Sequence, residues 1–222
     1  MQKLPVSLKN RRSRNSLSQN EILDAAAIII SEEGVVNLSM RRIAKKLECS
    51  VASPYAHFAS LEEICVGLII RGEELLVQKL KIASKKGKDT YEQLFELAKA
   101  YWSFALEHRE LHKLMFSNSE SGGILFSKAL GSVPRSYRVF LNTFRKGMKT
   151  GQFNFSREDY PAFCKTIWTW IYGLITLEMA GIKTPTRKGN TPLDEGLHIL
   201  KDLFDAKVQV SSRANQVKKL SI

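Results

Sequence analysis

The chain has 222 residues, of which 44% are hydrophobic and 25% charged, enough for one small and one medium-sized domain with a buried core. Its formal net charge of +12 at pH 7 favours a polyanionic partner but leaves the fold open. The three cysteines are an odd number without paired spacing, which argues against a disulfide scaffold and favours a reducing cytoplasm.

Membrane insertion and secretion are not expected from the hydropathy pattern. The first twenty residues lack the apolar segment of a secretory signal. The most apolar stretch, residues 166–177, is uncharged for twelve residues, whereas a membrane-spanning helix needs about 20. We therefore expect a cytoplasmic protein with no membrane segment.

Residues 1–17 form a basic arm that we expect to be disordered. The arm contains five basic residues and no acidic residue. It is either a solvated tail or a segment that enters the minor groove of a duplex, where arginine responds to groove width. The arginines of the arm are Arg11, Arg12 and Arg14.

Two helix starts follow the arm. Ser18 and Glu21 have the spacing of a capping box, which predicts that the first helix begins at Ser18. Ser39 predicts the start of a second, short helix, because its hydroxyl can accept from the free amides of the first turn. The apolar positions of this second helix recur along one face, as a buried face requires. These positions are Ile43, Ala44 and Leu47, and the outer side carries Arg41, Arg42, Lys45 and Lys46.

A third helix is predicted after a break at residues 48–49. Ser50 supplies its cap, and the helix is expected to run to about Phe58. Its exposed N-terminus would direct backbone amides and a positive dipole end outward, which suits a phosphate group. Tyr55 and His57 follow, and both side chains can donate to phosphate oxygens.

Two short helices joined by a tight turn are the layout of a helix-turn-helix, and here the chain resembles the tetracycline-repressor (TetR) family of bacterial transcription regulators. The likeness covers residues 18–64, through ILDAAAIIISEEG, LSMRRIAKKL and SVASPYAHFASLEEI with its Tyr-x-His-Phe ending. It implies a three-helix domain that binds double-stranded DNA. By this likeness the DNA backbone is contacted from Ser39, Ser50, Tyr55 and His57, and the bases are approached from Arg41, Val51, Ala52 and Ser53. We add the neighbouring Arg42 to the expected DNA-binding set.

The chain departs from the family pattern at two positions. Glu48 stands where the family often has glycine, so either the turn is less strained or the negative charge lowers DNA affinity. Leu61 stands where a lysine is usual, so one phosphate contact is expected to be missing. The third helix also lacks long polar side chains, which limits hydrogen bonding to base edges. This shortage favours a minor-groove role for the arginines of the arm.

The remaining sequence predicts helices and no sheet. We expect helices over residues 61–85, from a cap at Thr90, over 111–116, over 124–149 with a break at Pro134, over 159–180, and from Thr191-Pro192 onward, with a loop at 117–123. The fold class is therefore all-α. The domains expected are the arm (1–17), the helix-turn-helix domain (18–60), a larger C-terminal helical bundle (61–208) and a disordered tail (209–222).

The last two long helices are expected to form a homodimer. Trp168, Tyr172 and Gly173 resemble the signature of a TetR subgroup named for Trp-His-Gly, with Tyr172 replacing the histidine. In the wider family the helices at the places of residues 159–181 and 192–207 pack against their copies. The first of these is apolar all round and must be covered on both sides. A central helix in a monomer is the alternative.

A small apolar effector is expected in the C-terminal bundle. Aromatic and flexible side chains suit such a pocket, although core packing alone predicts the same composition. The candidate ligand-binding residues are Trp102, Met115, Phe116, Phe126, Trp168 and Tyr172. His108 and His112 have an i, i+4 spacing that could suit a metal, but no third ligand is evident and we expect an exposed pair. No cofactor, metal or catalytic pattern is predicted, and no enzyme activity is expected.

The sequence therefore predicts a cytoplasmic, homodimeric repressor that binds a pseudo-palindromic DNA operator and is released by a small apolar effector. We expect the effector to act by moving the helix at 61–85. The alternative is an effector-independent structural or adaptor protein that binds DNA through the same helix-turn-helix. A helical enzyme or carrier would need catalytic groups that the sequence does not offer.

Overall fold

The structure is a computed structural model that describes residues 17–116, 128–131, 133–153, 155–156, 158–183 and 185–202. Within these ranges it contains helices and no strand, which confirms the all-α class. None of the described helices combines the length and apolarity needed to cross a membrane. Four features predicted above lie outside the described residues: the arm with Arg11, Arg12 and Arg14, the loop 117–123, Phe126, and the tail 209–222.

The chain divides into two compact units. The first consists of Met1–Leu75 and Glu107–Pro134, and the second of Leu76–Leu106 and Arg135–Ile222. Among the described residues the longer α-helical segments are α1 (Gln19–Glu33), α2 (Met40–Lys46), α3 (Ala52–Tyr55), α4 (Leu61–Ala83), α5 (Thr90–Glu107), α6 (Arg109–Phe116), α7 (Arg135–Lys149), α8 (Asp159–Met179) and α9 (residues 192–202). A short 3-10 helix lies at Val35–Asn37, and residues 128–130 are also helical. The predicted break at Pro134 is confirmed, because α7 begins directly after it.

The start of α1 is the predicted capping box. The Ser18 hydroxyl accepts from the Glu21 amide at 3.2 Å, and the Glu21 carboxylate accepts from the Ser18 amide at 2.8 Å. Along α1 a continuous face is buried, including Ile22 and Ile29. The helix ends at Gly34, whose φ of 86° is a conformation that other residues reach only with strain.

In the first unit, α4 packs closely on both α1 and α6. A Cβ atom at Gly67 would lie 2.8 Å from a methyl group of Leu23 on α1, and one at Gly72 would lie 2.6 Å from the sulfur of Met115 on α6. Arg71 adds an ion pair to α1, with Nη1 2.7 Å from the Asp24 carboxylate. Glycine at these two positions lets the helix backbones approach, so α4 is fixed against the domain that contains α2 and α3.

In the second unit, aromatic side chains form the centre of the packing. The rings of Tyr101 on α5 and Trp168 on α8 stack with centroids 4.6 Å apart, and Phe144 on α7 stacks on Phe153 at 4.7 Å. Phe144 is completely buried, and Tyr101 is 1% exposed. Such pairs stabilise a core by about 0.5–1.5 kcal/mol beyond their area burial.

Two predicted caps of the second unit have different outcomes. The cap at Thr191 is confirmed, because its hydroxyl accepts from the Asp194 amide at 3.1 Å. The Asp194 carboxylate in turn accepts from the Thr191 amide at 3.1 Å. The cap at Thr90 is wrong. Asp89 performs that role, with its carboxylate accepting from the Glu92 amide at 2.9 Å, while Thr90 is buried and donates its own amide to Gln152.

Candidate nucleic-acid interface

The α2 helix forms as predicted. The Ser39 hydroxyl accepts from the Arg42 amide at 3.3 Å and caps the helix. Ile43, Ala44 and Leu47 are 0%, 1% and 5% exposed, so the predicted apolar face is the buried face. The basic side chains of α2 are therefore on its outer side, where Arg41, Arg42, Lys45 and Lys46 are all exposed.

The start of α3 differs from the prediction. Val51 precedes the helix, and no side chain bonds its first amides. The Ser50 hydroxyl instead lies 2.9 Å from the hydroxyl of Ser53, so the predicted capping role of Ser50 is wrong. The Val51 backbone is already in the helical region, and the Ser53 amide bonds to the Ser50 carbonyl at 3.0 Å, so the first turn begins at Ser50 without a side-chain cap.

The end of α3 is also earlier than expected. The helix ends at Tyr55, and the chain continues to Phe58 in a turn, in which the His57 and Phe58 amides both bond to the Pro54 carbonyl at 3.1 Å and the Phe58 ring is buried at 8% exposure. Pro54 is buried as well, so it lies on the inner side of α3. Val51 and Tyr55 are left 43% and 53% exposed on the outer surface.

The predicted contact residues of α3 therefore do not have equal access to a duplex. Ala52 is exposed together with Val51 and Tyr55, whereas Ser53 and His57 are half-buried. The exposed phenol can donate a hydrogen bond to one phosphate oxygen. The valine and alanine side chains can touch thymine methyl groups. The surface thus offers shape and apolar contact with few hydrogen bonds to bases.

The turn between α2 and α3 keeps a left-handed residue without glycine. Glu48 has a φ of 52°, and the Cys49 amide that follows it bonds back to the Ala44 carbonyl at 3.0 Å. A side chain in this region costs about 1–2 kcal/mol. The sequence left open a less strained turn at Glu48, and the left-handed backbone of Glu48 is not that outcome.

Half of the basic side chains on α2 are paired with acids of α1. Arg42 forms an ion pair with Glu33, and the Lys46 ammonium lies 2.8 Å from the Glu32 carboxylate. Residues 17–60 contain four basic and five acidic residues, so this region has no positive surplus of its own. Arg41 and Lys45 have no ion pair within the described ranges, which leaves them as the cations of α2 available to DNA.

Two polar contacts that the sequence did not reveal hold the domain together. The Gln19 side chain donates to the His57 carbonyl at 3.1 Å, which joins the start of α1 to the segment after α3. The Glu110 carboxylate on α6 accepts from the Val35 amide at 3.2 Å. The ammonium of Lys113, 2.6 Å from the same carboxylate, lowers the pKa of Glu110, so the acceptor is charged near neutral pH.

The predicted effector residues divide between the two units. Trp102, Trp168 and Tyr172 belong to the second unit, and Met115 and Phe116 belong to the first. Around Trp168 the structure adds three aromatic residues that the prediction missed: Tyr101, Tyr137 and Phe140, with ring centroids 4.6, 5.4 and 6.1 Å away. Their spacing resembled ordinary core, which is why the sequence did not single them out.

Two further features concern ligands and metals. An open cleft of about 400 Å³ in the second unit is lined by Lys86, Gly87, Glu92, Phe95, Glu96 and Lys99, and by none of the predicted effector residues. His112 is 3% exposed, which corrects the expectation of an exposed histidine pair. Burial lowers the pKa of His112 to about 4, and its ring lies 4.8 Å from Phe116. The described residues contain no group of three or more side chains suited to hold a metal.

Comparison with known proteins agrees with this geometry. Residues 22–66 match the family model described as "Bacterial regulatory proteins, tetR family", and residues 94–198 match "Tetracyclin repressor-like, C-terminal domain". A curated relative, the HTH-type transcriptional regulator SAR2658 of Staphylococcus aureus (strain MRSA252), is 29% identical over 105 residues. The match covers 47% of this chain and about half, 55%, of that relative.

Two similar solved structures share the fold. The fatty acid degradation regulator FadR from Bacillus halodurans has a TM-score of 0.64 at 16% identity, covering 86% of this chain and 96% of that one. FadR from Bacillus subtilis, in complex with stearoyl-CoA, has a TM-score of 0.61 at 18% identity, covering 75% and 90%. The helix-turn-helix of α2 and α3, the two matching family models and these folds show that the chain belongs to the TetR family of transcription regulators and carries its DNA-binding domain.

Proposed function

We propose that the protein is a cytoplasmic, homodimeric repressor that binds a pseudo-palindromic operator and releases it when an apolar effector binds. The observation that carries this proposal is the α2–α3 pair, with a capped α2 and an α3 whose outer surface is formed by Val51, Ala52 and Tyr55. A short helix of this kind reads the major groove when its outer side chains are free of internal contacts.

The proposed DNA contacts follow from exposure. Tyr55 and His57 donate to backbone phosphates, and the residues around the start of α3 approach bases. In full, the proposed backbone set is Ser39, Ser50, Tyr55 and His57, and the proposed base set is Arg41, Val51, Ala52 and Ser53, with Arg42 as a further DNA-binding residue. The arm adds Arg11, Arg12 and Arg14 in a neighbouring minor groove. Arg42 must break its ion pair with Glu33 before it can bind DNA, and this lowers its net contribution to DNA affinity.

The outer face of α8 supports the homodimer. Thr166, Thr169 and Thr176 recur along one face, and each hydroxyl donates to the carbonyl four residues earlier, at 3.0, 2.9 and 2.9 Å. Their polar groups are thus satisfied inside the helix, and mainly methyl groups face outward. Gly173 lies on the same face, and a Cβ atom there would meet nothing within 4 Å.

Leu177 lies on the same face and is 38% exposed, and Ile182 and Ile199 are further exposed apolar side chains of the second unit, at 54% and 60%. Small and apolar residues in one patch allow a second copy to approach closely and bury the patch, as an isologous interface does. Two α3 helices held about 34–36 Å apart then address the two halves of an operator.

The effector proposed for the second unit is an apolar ligand with a long acyl chain. The aromatic cluster around Trp168 offers apolar surface, with a phenol at Tyr137 as a polar group. The similar B. subtilis structure contains stearoyl-CoA, which makes an acyl thioester the first ligand to test. To change occupancy from 99:1 to 1:99, the ligand must favour one state by about 5.5 kcal/mol.

The α4 helix is the proposed connection between effector and DNA. It runs without interruption from Leu61 to Ala83, and in the first unit it contacts α1 through Gly67 and Arg71. A shift of α4 therefore moves α1 and the helix-turn-helix packed on it. The two α3 helices of the dimer would then lose the spacing that the operator requires.

The test is a titration of genomic fragments selected by the protein, with and without stearoyl-CoA. Tyr55→Phe removes one hydroxyl and is expected to weaken binding to all bound fragments by about 10- to 150-fold, the effect of one hydrogen bond to a charged group. Tyr91→Phe is the matched control, because its hydroxyl donates to the Gln152 carbonyl inside the second unit. A change in the preferred sequence with Tyr55→Phe would contradict a phosphate contact. DNA binding that no acyl ligand releases would favour the effector-independent adaptor.

A further inference from the structure

The helix α7 lies in the longest stretch of the chain without an acidic residue. Residues 121–157 contain seven basic residues and no acidic residue. Five of these cations are on α7, and all five are exposed: Arg135, Arg138, Arg145, Lys146 and Lys149. We call these five residues the basic stripe.

The basic stripe occupies one side of its helix. Its positions follow a spacing of i, i+3, i+10, i+11 and i+14. At 3.6 residues per turn these positions lie within an arc of about 100° and extend over about 21 Å of helix axis. Asn142 is exposed within the same arc. A single small anion would not need a row of this length, so the geometry indicates a partner with repeated negative charge.

The opposite side of α7 is buried in the second unit. Phe140 and Phe144 are 2% and 0% exposed, and Gly147 lies against the ring of Phe153. A basic amphipathic helix that binds a lipid surface must insert its apolar face among the acyl chains. The apolar face of α7 is already used by the core, so insertion into a membrane is not open to it.

Two of the three cations at the C-terminal end of the stripe have neutral partners. Arg145 Nε donates to the Tyr160 hydroxyl at 3.0 Å, and its guanidinium lies 5.6 Å from the centre of that ring. Lys146 Nζ donates to the Gln93 side chain at 3.2 Å. Within the described ranges no ion pair involves Arg145, Lys146 or Lys149. Neutral partners orient the side chains and leave their charge uncompensated.

The helix-turn-helix shows the opposite arrangement. On α2, Arg42 and Lys46 are paired with Glu33 and Glu32, and residues 17–60 have one more acid than base. Phosphate contacts by lysine and arginine supply most of the sequence-independent affinity of DNA-binding proteins. The described part of the DNA-reading domain therefore has few free cations for phosphate contacts, whereas the basic stripe carries exposed cations.

We propose that the basic stripe binds the phosphate backbone of double-stranded DNA without regard to sequence. A duplex presents one negative charge per about 1.7 Å of axis, which matches a row of cations about 21 Å long. Arginine, lysine, asparagine and tyrosine are the side chains that contact phosphates, and all four types are present in or beside the stripe. The proposal rests on DNA as the ligand of the proposed function and adds a second contact surface to it.

The test uses the full chain and a random-sequence duplex at salt concentrations from 50 to 200 mM. The variant is Arg145→Gln, Lys146→Gln and Lys149→Gln combined. The control is Lys81→Gln, Lys85→Gln and Lys88→Gln combined, which removes the same charge from exposed lysines elsewhere in the second unit. Three lost phosphate contacts lower the slope of log K against log salt by about 2.7, so the loss of affinity across this range shrinks by a factor of about 40. The control is expected to keep the wild-type slope.

Several outcomes would overturn the proposal. An unchanged slope, or an equal decrease in variant and control, shows that the stripe makes no specific contact. A variant that loses binding to vesicles of anionic phospholipid and keeps its DNA slope assigns the stripe to membranes. If the triple variant does not fold, Lys149→Gln alone is expected to lower the slope by about 0.9. Failure of the proposed function is distinguishable, because the wild-type chain would then bind no duplex at low salt.

Discussion

Glu48 combines backbone strain with a negative charge at the centre of the DNA-reading turn. Glycine removes the strain, which costs about 1–2 kcal/mol, but loses about 0.5–1 kcal/mol through the greater freedom of the unfolded chain. We therefore expect Glu48→Gly to raise the free energy of unfolding by about 0.5–1 kcal/mol, measured by urea denaturation.

Glu48→Gln separates the two effects, because it keeps the side chain in the left-handed region and removes the charge. It is expected to leave stability unchanged and to raise DNA affinity as much as Glu48→Gly does. If the two variants are equally stable, the φ of 52° imposes no measurable strain. If neither binds DNA more tightly, the charge of Glu48 does not face the phosphates.

The buried His112 gives the stability of the protein a pH dependence. Burial lowers its pKa to about 4, against 6.5 for a free side chain, so the unfolded chain binds a proton that the folded chain resists. Stability is therefore full above pH 6.5 and falls as the pH decreases toward 4, by about 3 kcal/mol for this group. His112→Gln, which cannot take up a proton, is expected to flatten the unfolding free energy over this range. A wild-type slope retained in His112→Gln would assign the pH dependence to other groups.

At the level of helices, local sequence predicted most starts, because a cap depends on side chains a few residues apart. The starts at Ser18, Ser39 and Thr191 are confirmed by their hydrogen bonds. At two other starts the capping side chain was predicted wrongly, because neighbouring residues compete for one role. Asp89 displaced Thr90, and the hydroxyls of Ser50 and Ser53 bond each other instead of the backbone. Side-chain type alone does not decide such competition.

The packing of α7 on Phe153 gives a prediction at the same scale. Gly147 lies on the buried side of α7, where a Cβ atom would overlap the Phe153 ring, and this ring is held by Phe144. Gly147→Ala gains helix propensity but forces this ring aside, so we expect a net loss of about 1–3 kcal/mol in the free energy of unfolding. Asn142→Ala on the exposed side of α7 is the control and is expected to be neutral or slightly stabilising. A stable Gly147→Ala would mean that the aromatic cluster repacks easily.

At the level of the whole molecule, the contacts that position the reading surface join distant parts of the chain. Gln19 and His57 are 38 residues apart, and Val35 and Glu110 are 75 residues apart. No local pattern indicates such pairs, and an exposed glutamine or glutamate is common on any helix. The resemblance to a family gave the fold and the DNA-binding segment, but these pairs required three-dimensional structure. The roles proposed for individual side chains in DNA and effector binding remain predictions.

The proposed homodimer is the assembly on which recognition of a two-part operator depends. Gly173 lies on the threonine face of α8, where a larger side chain meets no atom of its own chain. Gly173→Leu is therefore expected to fold, with some gain in helix propensity, and to block the approach of a second copy. We expect its dimer dissociation constant to rise at least tenfold, or about 1.4 kcal/mol, measured by sedimentation equilibrium.

Gln78→Leu is the matched control for this variant, because it adds the same apolar side chain at an exposed position of α4. It is expected to keep the wild-type dissociation constant and operator affinity. Gly173→Leu should lose affinity for a complete operator while its affinity for an isolated half-site stays at the wild-type level, because α3 itself is unaltered. Two half-sites on one duplex raise the affinity only of a protein whose two DNA-binding domains are linked in a dimer. This difference therefore separates loss of the dimer from damage to the DNA-binding domain. A Gly173→Leu protein that remains dimeric would place the interface on a face other than the one formed by Thr166, Thr169 and Thr176.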